Sequence, residues 1–128
     1  MVIQGTTGTG KSYIISFLKY ALQNASKQSA SPLLLLAPTG VAAFNIHAST
    51  MHSTLRIPIG EMQPLEGQSL SKLQEELHHI LYILIDEMSF IGPKMLTQID
   101  ARLRQAFPLQ STIPFSGCSI ILLGDFGQ

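Results

Sequence analysis

The sequence predicts an α/β fold built on a parallel β-sheet of at least four strands, with helices on both faces. Two observations carry this prediction. The apolar runs Val2-Ile3, Leu33 to Ala37, Leu81 to Ile85 and Ser119 to Leu123 are solid rather than alternating, as in strands covered on both sides. Between them lie stretches with apolar residues at helical spacing, and strands that alternate with helices form parallel sheets.

Val2-Ile3 opens the chain as a strand, and Gly5-Thr6-Thr7-Gly8-Thr9-Gly10-Lys11-Ser12 follows at once, fitting the phosphate-loop pattern G-x-x-x-x-G-K-[ST] at each required position. A triphosphate needs several backbone N–H donors converging on it, and Gly5, Gly8 and Gly10 let the chain come close without a Cβ in the way. Lys11 then reaches the β- and γ-phosphates, the Ser12 hydroxyl ligates Mg²⁺, and the following helix points its N-terminal dipole at the anion. In that helix Ile14, Phe17, Leu18, Ala21 and Leu22 form the expected buried stripe.

Asn24 to Pro32 is small and polar and ends in proline, a surface loop. Leu33 to Ala37 is the second strand, bracketed by Pro32 and Pro38 too closely for a helix. Pro38-Thr39-Gly40 closes it, and Val41 to Ile46 reads as a short helix whose first N–H groups lie at the carboxyl end of the sheet, where open α/β folds bind ligands. Arg56 to Gly67 carries two prolines and two glycines and cannot form a regular element, so it reads as an inserted loop or small subdomain. Leu70, Leu73 and Leu77 then mark an amphipathic helix, and His78-His79 reads as its solvated end rather than a metal site, because adjacent helical side chains point apart.

Leu81 to Ile85 is the third strand and ends in Asp86-Glu87. Carboxylates there need a partner, and Mg²⁺ beside a phosphate loop supplies one: Asp86 holds the metal through water together with Ser12, while Glu87 orients and deprotonates the attacking water. Gly92-Pro93 opens a helix with Met95, Leu96, Ile99 and Leu103 as its buried stripe. Leu109 to Gly117 is a polar connection. Ser119 to Leu123 is the fourth strand, followed by Gly124-Asp125-Phe126-Gly127-Gln128, where the Gln128 amide can sense the γ-phosphate or the attacking water.

Composition bounds the rest. In 128 residues there is room for one core, 45% of the residues are hydrophobic, and no apolar run reaches the ~18 residues of a membrane span. Met1 to Gln4 leave no room for a signal peptide, and the single cysteine, Cys118, reads as a buried core thiol; both fit a reducing intracellular compartment. Net charge is zero, so composition alone gives no electrostatic footprint of nucleic-acid binding.

Five motifs in order, Gly8 to Ser12, Pro38-Thr39-Gly40-Val41-Ala42-Ala43, Thr50-Met51-His52-Ser53, Ile85-Asp86-Glu87-Met88-Ser89 and Gly124 to Gln128, resemble the first motor domain of Pif1-family DNA helicases. Met95 to Phe115, with Arg102-Leu103-Arg104 and Pro114-Phe115, is similar to that family's signature stretch. The resemblance implies a RecA-like P-loop NTPase that hydrolyses ATP with Mg²⁺, moves 5′ to 3′ on single-stranded DNA and separates duplexes, in DNA repair or recombination and in the nucleus of a eukaryote. It implies that Gly5 to Ser12 bind the triphosphate, that Lys11, Glu87 and Gln128 serve catalysis, that Ser12 and Asp86 hold Mg²⁺, and that Thr39, Gly40, His52 and Ser53 grip the DNA backbone. It further implies DNA junctions as partners, a small insert over 56–79, and a partial first motor domain over 1–128 whose second motor domain, with its arginine finger, lies outside these residues. Thr6-Thr7 and Phe90 depart from the family pattern, and the adenine-reading glutamine segment and the Leu-Pro-Pro after Gln128 are missing. A P-loop phosphotransferase and an inactive truncated copy of a helicase gene are the alternatives; Glu87 argues against the first, because a kinase has little use for a water-activating acid.

Overall fold

A computed structural model describes residues 2–4, 9–25, 31–45, 48–86 and 91–124. Its centre is a five-stranded sheet, every pairing parallel, formed by β1 (Val2–Gln4), β2 (Leu33–Ala37), β3 (Ser49–Thr50), β4 (Tyr82–Ile85) and β5 (Ser119–Gly124) in the order β1-β5-β4-β2-β3. The last strand in the chain therefore lies between the first and the fourth. Register aligns Leu36 with Ile85, Ile85 with Leu122, and Leu122 with Val2, so the carboxyl ends of the strands form one rim.

The solid apolar runs have the cause expected of them. Ile83 and Ile85 belong to one core with Met51, Leu55, Leu73, Leu77, Ile99 and Leu103, contributed by α3 (Met51–Thr54), α4 (Gly67–Leu77), α5 (Pro93–Ala106) and the residue after α3. Leu84, between those two isoleucines, joins a second core with Leu33, Leu35, Ile121, Leu123 and Ile15 of α1 (Thr9–Ala25). Successive strand residues point to opposite faces, so a sheet covered on both needs apolar residues throughout. This is the RecA-like α/β arrangement.

Some details depart from the sequence reading. The buried stripe of α1 runs through Ile15, Leu18 and Leu22, whereas Phe17 of the expected stripe is 59% exposed, because the face turned to the sheet is centred on Ile15. β3 and α3 are too short to show a period in sequence. The 109–117 connection contains two 3₁₀ turns, Pro108–Gln110 and Pro114–Gly117. Cys118 is half-buried rather than fully buried, and burial pushes its thiol pKa up. His78 caps α4, exposed, with Nδ1 donating to the Glu75 carbonyl at 2.6 Å, as a solvated helix end should be. Among the described residues no cluster of His, Cys, Asp or Glu could hold a metal, and no helix is long and apolar enough to cross a membrane.

The 56–66 segment has no regular structure, yet it is held firmly. Ile57 is buried in the first core, with Met62 and Leu65 packed against it. Arg102 of α5 reaches into this segment from below, 1% exposed.

Candidate nucleotide and DNA interface

Each candidate motif leaves the sheet at the same rim. β1 ends at Gln4, so residues 5–8 start from its carboxyl end and α1 begins at Thr9. Gln4 is in register with Gly124, the last residue of β5 and the start of the run to Gln128. Asp86 follows β4 and is 2% exposed; its N–H donates to the Leu36 carbonyl at 2.9 Å, extending the β2–β4 ladder one residue past the strand. Two strand spacings separate β1 from β4, about 10 Å, a gap that a metal-bound triphosphate can bridge.

Gly5, Thr6, Thr7, Gly8, Glu87 and Gln128 lie outside the described residues, as do Met88 to Phe90 and Asp125 to Gly127. For Thr9, Gly10, Lys11 and Ser12 the backbone is described as the first turn of α1, but not the side chains.

The other half of the rim is better defined. Ala37 is in register with Thr50, so Thr39 and His52 stand two residues beyond one paired row on neighbouring strands. Thr39 accepts the Ala43 N–H at 3.0 Å at the start of α2 (Gly40–Asn45), and both Thr39 and Gly40 are exposed. Thr50 is the N-cap of α3: its Oγ1 accepts the Ser53 N–H at 3.2 Å and lies 2.9 Å from Ser53 Oγ, which in turn donates to the Thr50 carbonyl at 3.3 Å. This capping holds Ser53 in a fixed, exposed position. His52 is half-buried, with Nδ1 2.8 Å from the Ile57 carbonyl. A carbonyl only accepts, so Nδ1 carries the proton and Nε2 is the ring atom left for a ligand. His52 also lines a shallow groove of about 360 Å³ with Pro58, Gly60, Lys94 and Gln98.

Sequence reasoning missed two contributors here. Phe44 of α2 is 81% exposed beside the Thr39-Gly40 turn, an aromatic face open to solvent. Arg102 gave no signal of burial, because an arginine in a helix has the same appearance in sequence whether it faces water or the core. Its guanidinium makes four hydrogen bonds, all to neutral oxygens: Nε to Leu55 O at 2.9 Å, Nη2 to Arg56 O at 2.7 Å, and Nη1 to Gln63 O at 3.1 Å and Gln105 Oε1 at 2.9 Å. Burial and, to a lesser extent, the nearby Arg56 lower its pKa. It stays cationic all the same.

Comparison with known proteins agrees with this geometry. The model of the PIF1-like helicase family matches residues 1–128. The chain is 33% identical to the ATP-dependent DNA helicase PIF4 of Trypanosoma brucei brucei over 134 residues, covering 100% of the chain and 16% of the relative. It is 31% identical to the ATP-dependent DNA helicase PIF1 of Danio rerio, covering 97% and 19%. The chain thus spans less than a fifth of the length of these relatives. Among solved structures, Bacteroides Pif1 bound to single-stranded DNA matches with a TM-score of 0.76 at 33% identity, covering 100% of the chain and 29% of that chain. The Bacteroides Pif1 complex with ADP-AlF4 matches with a TM-score of 0.75 at 32% identity, covering 99% and 28%.

Proposed function

The chain belongs to the PIF1-like helicase family, and on that premise we propose that it forms the first motor domain of an ATP-dependent DNA helicase that tracks 5′ to 3′ along single-stranded DNA and opens duplexes at junctions. The observation that carries this reading is the order of the rim. From β1 to β3 the strands end at Gln4, at Gly124, at Ile85 with Asp86 after it, at Ala37 and at Thr50, so the stretches read as nucleotide groups continue from one side of the sheet and the Thr39-Gly40 and His52-Ser53 turns stand on the other.

Within this reading the backbone of Gly5 to Ser12 cradles the triphosphate and Lys11 balances its charge. The Asp86 carboxylate and Ser12 hydroxyl are the hard oxygen donors that Mg²⁺ takes, and the burial of Asp86 at a strand tip fits a site built for a cation. When bound, that ion neutralises charge developing on the β- and γ-phosphate oxygens. Glu87 orients the attacking water and accepts its proton, and Gln128 distinguishes ATP from ADP by a hydrogen bond at the γ-position. Thr39, Gly40, His52 and Ser53 contact the DNA backbone, and Phe44 offers a face on which a base can stack. A second motor domain supplies the arginine that completes the site, worth roughly 10³ to 10⁵ in rate. The 128 residues alone therefore hydrolyse ATP slowly even when they bind it.

The test is a nucleotide titration of wild type against Lys11→Ala, with and without single-stranded DNA. Loss of the β- and γ-phosphate contact weakens binding in the variant. Equal affinity in the two proteins overturns the role of Lys11 and with it the phosphate-loop reading.

A further inference from the structure

Arg102 is expensive to keep where it is. A buried cation with no carboxylate among its hydrogen-bond partners bears the desolvation penalty of a charge while gaining only dipole contacts, and its removal would strand the oxygens that it serves. What the guanidinium does gain is geometry. Its planar fork uses three N–H bonds to fasten α5 to three carbonyls of another part of the chain, those of Leu55, Arg56 and Gln63, and a fourth to the Gln105 side chain of its own helix. Leu55 is the C-cap residue of α3, whose own N–H donates to the Met51 carbonyl at 3.0 Å, so the cation sits at the negative end of that short helix.

Two residues further on, Ile57 holds His52 from both directions: the Ile57 carbonyl accepts from Nδ1, and the Ile57 N–H donates to the His52 carbonyl at 3.1 Å. The chain of contacts thus runs from α5 through Arg102 to Leu55 and Arg56, then to Ile57, and ends on the His52 ring. Gln105 reinforces it from the next turn of α5, with Oε1 accepting the Leu65 N–H at 3.2 Å and Nε2 donating to the Leu65 carbonyl at 3.1 Å.

We propose that Arg102 is a positioning residue for DNA binding: by gripping the Leu55 and Arg56 carbonyls it fixes the turn after α3, and so sets the tautomer and orientation in which His52 meets the DNA backbone. The proposal rests on the functional reading above for the role of His52, but its first test needs no DNA. Imidazole ¹⁵N shifts of His52 in the 128-residue protein report which ring nitrogen is protonated. Wild type shows the Nδ1–H form; Arg102→Met, apolar and of similar length, and Arg102→Lys, charged but without the planar fork, both shift towards the Nε2–H form. The second readout is affinity for a fluorescent oligo-dT at a temperature where all variants are folded, where each substitution weakens binding by roughly three- to thirty-fold. A purely structural arginine would lower the thermal midpoint and leave both readouts unchanged below it.

An unchanged His52 tautomer in both variants overturns the proposal, as does unchanged affinity alongside a shifted tautomer. Should Arg102→Met fail to fold, Arg102→Lys decides by the same criteria. Failure of wild type to bind oligo-dT refutes the helicase reading and the DNA role of Arg102 together, while the tautomer still shows whether Arg102 fixes His52. The two failures are therefore distinct.

Discussion

Ser116→Gly should stabilise this domain, against the usual direction of core substitutions. Ser116 lies in the left-handed region at φ 50°, ψ 35°, between Phe115 at φ 54° and Gly117 at φ 78°. Left-handed backbone strains a residue with a Cβ by about 1–2 kcal/mol, and glycine removes that strain. Ser116 is also 4% exposed, and its hydroxyl has no hydrogen-bond partner among the described residues, a situation that costs about 1–3 kcal/mol and disappears with the side chain. Against these stand about 0.5–1 kcal/mol for the greater freedom of glycine in the unfolded chain and about 0.8 kcal/mol for one buried carbon. The strain and the stranded hydroxyl outweigh them, leaving a gain of about 1–2 kcal/mol, or roughly 3–8 °C in thermal midpoint for a chain of this size. Circular dichroism melts, with urea unfolding as a second probe, read the difference. Ser116→Ala separates the contributions, since it deletes the hydroxyl but keeps the Cβ, and its gain should fall short of the glycine variant's. A Ser116→Gly midpoint at or below wild type would refute the reasoning, and equal midpoints for the two variants would refute the strain component alone.

Two further outcomes follow from the same structure. Thr50→Ala removes the cap of α3, so it should lower stability by about 1 kcal/mol and weaken single-stranded DNA binding through the freed Ser53, whereas Thr50→Ser should restore both; thermal melts and oligo-dT titration check this. Cys118 holds its proton more tightly folded than unfolded, so its contribution to stability is complete below the ordinary thiol range and is lost as pH rises through the raised folded value; iodoacetamide labelling followed by mass spectrometry should accordingly be slower at pH 8 in native protein than in urea-unfolded protein.

How much of this could be read from the residues depends on whether the governing interaction is local. The two-sided strands declare themselves within a few residues, because double burial demands apolar residues throughout, and the phosphate-loop pattern and the acidic pair after β4 are motifs just as local. Arg102 does not. Its four acceptors are dispersed from Leu55 to Gln105, and an arginine at a helical position looks the same whether it faces water or reaches through the core. The α1 stripe was legible in part: Leu18 and Leu22 pack on the second core as their spacing indicates, whereas Phe17 is exposed and Ile15, outside the expected stripe, is the helix residue buried there.

Strand order is the feature least accessible to local reading and the one on which the proposed function depends most. If strands paired in chain order, β1 and β2 would be neighbours, and the Thr39-Gly40 turn would lie beside the phosphate loop. Instead β5, made last, enters between β1 and β4. Its register with both, Gly124 beside Gln4 and Leu122 beside Ile85, puts the root of the Gly124 to Gln128 run between the start of the phosphate loop and Asp86. β2 and β3 lie beyond β4, so β5 and β4 separate the Thr39-Gly40 and His52-Ser53 turns from β1, the strand that leads into the phosphate-loop pattern.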